Sequence, residues 1–150
     1  MVNRTEAFKA WRTSALITCA IIAVVVLYAL VVEAVSRHTG LRYPLSGGAA
    51  AAARYALYLL GAAAAASVKF AGRLIGERVR SAPGGSELKA LSARSVSAAV
   101  LCELPALAGF LIFFLTGGYW DFYLLAVFSL ALEFYYFPRR ADWDSAAAGL

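Results

Sequence analysis

The sequence predicts an all-α integral membrane protein, a four-helix bundle of two antiparallel hairpins with both termini on the cytoplasmic side. Three observations predict it. Four apolar runs of roughly 20 residues divide the chain, each long enough as a helix to cross about 30 Å of hydrocarbon. Hydrophobic residues make up 62% of the chain and charged residues 15%, where soluble domains carry about 45–50% and about 25%. The basic residues fall almost entirely at alternate ends of the runs, as they do where Lys and Arg report membrane orientation.

The first run covers 14–35, the second 47–70, the third 95–116 and the fourth 119–137. A bilayer core offers no water to unpaired amides, so these runs are expected as helices that satisfy their own backbone. Alternating segments of about ten residues, the mark of a membrane barrel, do not occur. Arg4, Lys9 and Arg12 precede the first run, and Val32-Glu33-Ala34 has the look of a cleavage site. The run is nevertheless longer than the about 7–15 residues of a signal core, and an uncleaved anchor is expected.

Orientation follows the cations. One face receives Arg4, Lys9 and Arg12, then Arg73, Arg78, Arg80, Lys89 and Arg94, then Arg139 and Arg140, whereas the other receives Arg37 and Arg42. By the positive-inside bias, the N-terminus, a loop over 71–94 and the C-terminus are cytoplasmic. Tyr119, Trp120 and Tyr123 at one end, and Trp11, Tyr135, Tyr136 and Phe137 at the other, suit interfacial belts. The whole of 1–150 reads as one membrane domain without internal repeats. Its one plausible hinge is Ser81-Ala82-Pro83-Gly84-Gly85-Ser86, rich in turn formers, and Ser92, Ser95 and Ser97 suit the start of helix three. The turn Thr116-Gly117-Gly118 is short enough to make helices three and four antiparallel neighbours. The basic stretch Arg73 to Arg80 is read as a topology signal that would also sit well against anionic headgroups.

Helix two carries Gly61 followed by alanines, and the pairs Gly61 with Ala65 and Ala62 with Ala66 place small residues four apart. Such pairs let backbones approach closely, which is how membrane helices gain packing energy. Helix two is therefore expected to be the central or oligomer-forming helix. Helices one and four, with larger side chains, are expected to face lipid more.

An ionisable residue inside a span costs about 2.5–3.5 kcal/mol at the centre on insertion scales, so each calls for an explanation. Glu33 has Arg37 one turn later, in the favourable order for a helical pair. Arg54, roughly 7 Å from the middle of helix two, is expected to form an intramembrane ion pair with Glu33. Glu133 is expected to meet Lys69 or Arg94. Glu103 lies within roughly 4 Å of the middle of helix three, and no basic residue occurs at that depth. It needs either a proton or a partner, because desolvation disfavours an isolated anion. Pro105 cannot donate to the Leu101 carbonyl, so a local kink and a free acceptor are expected beside it.

The run Ala99-Val100-Leu101-Cys102-Glu103-Leu104-Pro105-Ala106-Leu107-Ala108-Gly109-Phe110-Leu111-Ile112 resembles the carboxylate helix of the proteolipid subunit c of rotary ATPases. There an ion-carrying Glu precedes a small residue, an aliphatic residue and a Gly at similar offsets. The resemblance implies that Glu103 binds a proton, with Pro105 beside it, that Gly109 serves close packing, and that the Ala-rich helix two is the partner helix. It covers about 14 residues. Helix two departs from that pattern: it lacks repeated glycines and carries Arg54 and Lys69. The connecting segment is too long, and two further helices flank the pair. With Asp121-Phe122-Tyr123 and the closing Tyr136-Phe137-Pro138-Arg139 before Trp143, the whole chain is more similar to small uncharacterised four-helix proteins of bacterial inner membranes.

Several function classes fall away on composition. The net charge of +5 resides in the segments between apolar runs, which argues against nucleic acid. Cys19 and Cys102 lie inside apolar runs and are expected as small hydrophobes, not as a disulfide. His38 has no acidic or cysteine companion, so no metal site, catalytic residue or cofactor is expected. The expectation is a non-enzymatic multi-pass protein of a bacterial inner membrane, a subunit or scaffold acting through helix packing. Its partners would be the lipid bilayer and either further copies of itself or a membrane complex. The alternative is an oligomer that moves protons or small ions through Glu103.

Overall fold

A computed structural model describes residues 4–38, 43–83 and 86–148. These residues form five helices and no strand: α1 (Arg4–His38), α2 (Gly47–Ser81), α3 (Glu87–Thr116), α4 (Tyr119–Tyr135) and α5 (Arg140–Ala148). The four apolar runs all fall on helices long and apolar enough to cross a membrane. Both α1 and α2 have 35 residues, which at 1.5 Å per residue exceeds the about 30 Å of a hydrocarbon core, so their charged ends project beyond the apolar zone.

The segment expected as a loop over 71–94 is mostly helix. Helix α2 continues to Ser81 and α3 begins at Glu87, because hydropathy marks where a helix leaves lipid, not where its hydrogen bonds end. The start of α3 is fixed by Ser86, whose hydroxyl accepts from the Lys89 amide at 3.3 Å, a capping role for the last of the turn formers. Ser92, Ser95 and Ser97 therefore lie inside α3, and Ser97 donates back to the Ala93 carbonyl at 2.6 Å. Arg80 and Glu87 close the connector with an ion pair at 2.5 Å. Gly84 and Gly85 of the expected hinge, and Arg42 of the first loop, lie outside the described residues. His38 is the last residue of α1.

The central helix is α3, not α2. It packs against each of the other four, and half of its most apolar stretch is buried. Helix α2 lies along α3 in the most extensive contact of the fold. A Cβ on Gly61 would meet Pro105, one on Gly72 would meet Arg94 and one on Gly76 would meet Ala90. Each step forward on α2 is thus an equal step back on α3. The buried face of α2 is Gly61, Ala64, Val68 and Gly72, spaced at helical intervals. Gly61 serves the close approach expected of it. Ala62 and Ala66 are exposed and Ala65 is half-buried, because the α3-facing stripe runs through Ala64 instead.

Helix α4 returns along α3 after Gly117, which sits at φ +75° and donates to the Phe113 carbonyl at 2.9 Å. A left-handed residue ending a helix in this way is the ordinary glycine cap. Farther along, a Cβ on Gly109 would stand 3.0 Å from Leu125 and 3.1 Å from the Phe122 backbone. The core gathers Val25 and Val32 of α1, Ala106 and Phe113 of α3, and Phe122 and Ala126 of α4. Pro105 is buried within an unbroken α3.

Helix α5 was not anticipated. It packs on α1 and α3, burying Trp143 to 2% exposure. The Trp11 indole donates to the Pro138 carbonyl at 3.0 Å, and the Arg140 guanidinium lies over the Phe8 ring at 5.3 Å. Large apolar side chains remain exposed all round: Leu27 and Leu30 on α1, Tyr55 and Leu59 on α2, Leu124 and Val127 on α4. Helix α2 thus presents large apolar side chains outward, as α1 and α4 do.

Candidate functional site

The polar groups within the apolar spans are where function would reside, since each is costly unless paired. Four cross-helix ties engage some of them, whereas Thr18, Ser67, Ser97 and Thr116 donate to carbonyls of their own helices. The Tyr28 hydroxyl of α1 donates to Glu103 of α3 at 2.9 Å. Glu33 of α1 accepts from Tyr119 at 2.8 Å and Tyr123 at 3.2 Å, two phenols one helical turn apart on α4. Arg54 of α2 pairs with Asp121 of α4, and the Tyr58 hydroxyl donates to the same carboxylate at 2.9 Å. The Ser129 hydroxyl of α4 donates to the Cys102 carbonyl of α3 at 2.5 Å.

The expected ion pair of Glu33 with Arg54 does not form. Glu33 binds Arg37 at 2.5 Å, as its helical spacing suggested, and turns its other oxygen to the α4 phenols. Arg54 goes instead to Asp121. Asp121 stands in the first turn of α4, where a carboxylate also meets the positive end of the helix dipole. Part of this was in the sequence: Arg54 and Tyr58 are four apart and so share a face, but which acid that face meets depends on how α2 is turned against α4. Charge alone, without that face, pointed to the wrong acid.

Glu103 is partly buried and tied by its Oε1 to the Tyr28 hydroxyl. The partner that Glu103 needs is thus a phenol of α1, and the carboxylate is the acceptor. Tyr28 also stacks against Phe110, with ring centroids 4.8 Å apart. Pro105 instead faces α2, where it covers Gly61.

Glu133 departs most from expectation. It is 1% exposed, and neither carboxyl oxygen has a hydrogen-bond partner; neither Lys69 nor Arg94 reaches it. It sits on α4 one turn beyond Ser129, whose hydroxyl reaches the Cys102 carbonyl of α3. Sequence reasoning singled out Glu103 by depth and set Glu133 aside as a peripheral pair. Depth along a helix does not report which way a side chain points, and Glu133 points inward.

Cys102 is buried and Cys19 exposed, and both are free thiols. Among the described residues, no three His, Cys, Asp or Glu side chains gather as a metal site requires. No family model, no curated protein and no solved structure matches the chain.

Proposed function

We propose that this chain is a non-enzymatic, multi-pass membrane component, a subunit or scaffold that acts through helix packing. One observation carries the reading: several polar side chains of the spans tie one helix to another. Tyr28 to Glu103, Tyr119 to Glu33, Tyr58 to Asp121 and Ser129 to Cys102 each join different helices. Such bonds specify one arrangement of helices in a medium that offers little hydrophobic drive between them.

In this reading the N-terminus, the 82–86 connector and the C-terminus face the cytoplasm of a bacterial inner membrane, following the cations. The exposed apolar surface meets lipid and, in part, either further copies of the chain or a partner membrane protein. Extraction from native membranes in mild detergent tests it. The expected species is larger than one chain with its detergent, with the same components recovered in each preparation. A lone chain, or a chain soluble without detergent, would refute it.

Glu133 supports a second reading, a proton-binding site within the bundle. A carboxyl buried in a span without a hydrogen-bond partner is costly to keep, and an ionisable group retained at such cost is a candidate for a role of its own. Proton flux into liposomes discriminates. The packing reading expects no flux above protein-free liposomes, whereas the second expects flux that Glu133→Gln or Glu103→Gln abolishes.

A further inference from the structure

We propose that the basic end of the bundle holds a binding pocket for the phosphate headgroup of an anionic membrane lipid. The pocket, about 570 Å³, lies where α2, α3 and the α4–α5 corner meet. Four cations line it, Lys69 and Arg73 from α2, Arg94 from α3 and Arg139 from the corner, against one carboxylate, Asp142. The ion pairs formed among the described residues join Arg37, Arg54, Arg80 and Arg140 to their acids. None of the four pocket cations takes part in one. A surface that leaves four positive charges around one cavity is built for an anion, and guanidinium groups fit phosphate oxygens in bidentate pairs.

Two details favour a built site over a scatter of topology-setting charges. Gly72 is buried on α2, and a Cβ there would lie 3.2 Å from the Arg94 side chain. The missing side chain leaves the space across which the stem of Arg94 lies. The opposite wall is rigid: Trp143 and Pro138 are buried, and the Trp11 indole holds the Pro138 carbonyl. Arg139, between that carbonyl and α5, stands exposed at the pocket rim.

The ligand is amphiphilic because of what adjoins the cations. Tyr135 lines the pocket and is 64% exposed, and Phe70 and Phe134, next in sequence to Lys69 and Tyr135, are each 68% exposed. Aromatic surface of this kind belongs at the level where headgroup gives way to acyl chain. Basic pockets between spans at the cytoplasmic face are where anionic headgroups bind. The inference rests on the membrane reading above.

The test is native mass spectrometry of the full chain, taken from nanodiscs of phosphatidylcholine alone or with added phosphatidylglycerol or cardiolipin. The expected result is retention of an anionic lipid, in preference to phosphatidylcholine, by the wild-type chain. The Arg94→Gln/Arg139→Gln variant should bind about 30-fold more weakly, the factor for two cations at ~1 kcal/mol each. The charge-matched Arg12→Gln/Arg78→Gln variant, which alters cations outside the pocket, should bind as wild type does. Equal losses in both variants, or no preference for the anionic lipid, would overturn the proposal. Release of the lipid by inorganic phosphate alone would overturn the lipid as the ligand. Should the double variant not elute as the wild-type species does, Arg139→Gln, at an exposed position, carries the comparison. A chain that never enters the nanodisc refutes the membrane reading, whereas one that enters and retains no anionic lipid refutes only the pocket.

Discussion

The Tyr28 hydroxyl reaches from α1 to the Glu103 carboxylate on α3 at 2.9 Å, so an acid in the middle of an apolar helix is also a tie between the first and third helices. Tyr28→Phe keeps the ring contact with Phe110 and removes only the donor. The expected loss is about 0.6 kcal/mol and at most about 1.7 kcal/mol, the range of interhelical hydrogen bonds in membrane proteins. Glu103→Gln keeps an acceptor oxygen and should cost less than Glu103→Leu, which leaves the phenol without its partner. Unfolding in mixed detergent micelles measures all three, and equal effects of Gln and Leu would show that the bond contributes nothing.

Arg54 and Asp121 should behave as one unit. In a double-mutant cycle, Arg54→Met and Asp121→Asn are expected to couple by about 0.5 kcal/mol or more, whereas Arg54→Met and Glu33→Gln should add to within about 0.5 kcal/mol. Arg54 is 46% exposed on its side chain and Asp121 13%, so the coupling belongs at the low end of what contacts give. Additivity at the first pair, with coupling at the second, would return Arg54 to Glu33.

Why the sequence gives away the spans but not the site is visible in these residues. Span position depends on composition over about 20 residues, and the apolar runs declare it. Helix ends were missed where hydropathy and hydrogen bonding part company: α2 and α3 run on past lipid depth because Gly72 and Gly76 keep packing on Arg94 and Ala90. Helix α5 was missed because nine residues with three charges carry no span signal, although Trp143 is its buried anchor. The site was half legible. The Glu33 to Arg37 pair followed from spacing on one helix. Asp121 as partner of Arg54, and Glu133 as the inward carboxyl, depend on the rotation of one helix against another, which a single helix's sequence does not encode.

Close approach between α3 and α4 should depend on Gly109. A methyl there would stand 3.0 Å from the Leu125 Cβ and 3.1 Å from the Phe122 Cα, and backbone has no rotamer by which to yield. Gly109→Ala is expected to destabilise by about 1–3 kcal/mol, the cost of overpacking. Gly48→Ala is the control, since nothing lies within 4 Å of a Cβ there, and it should be neutral or stabilise by up to about 1 kcal/mol. Thermal aggregation midpoints in detergent give the comparison; equal effects at the two positions would deny the tight contact.

Glu133 gives the sharpest division between the two functional readings. Its carboxyl is 1% exposed and has no hydrogen-bond partner, so the folded chain bears the desolvation of a polar group without the bond that would offset it, about 1–3 kcal/mol. Leu has nearly the volume of Glu and no polar atoms. Glu133→Leu is therefore expected to raise stability by about 1 kcal/mol or more, and Glu133→Gln, which still buries a polar amide, to raise it less. If the carboxyl serves only packing, a stabilised Glu133→Leu chain should assemble with its partners as wild type does. If it binds a proton in use, the same variant should be more stable and yet lose flux, the expected signature of a costly group kept for its chemistry. Loss of stability in both Glu133→Leu and Glu133→Gln, which keeps the side chain's shape, would contradict the unpartnered carboxyl itself.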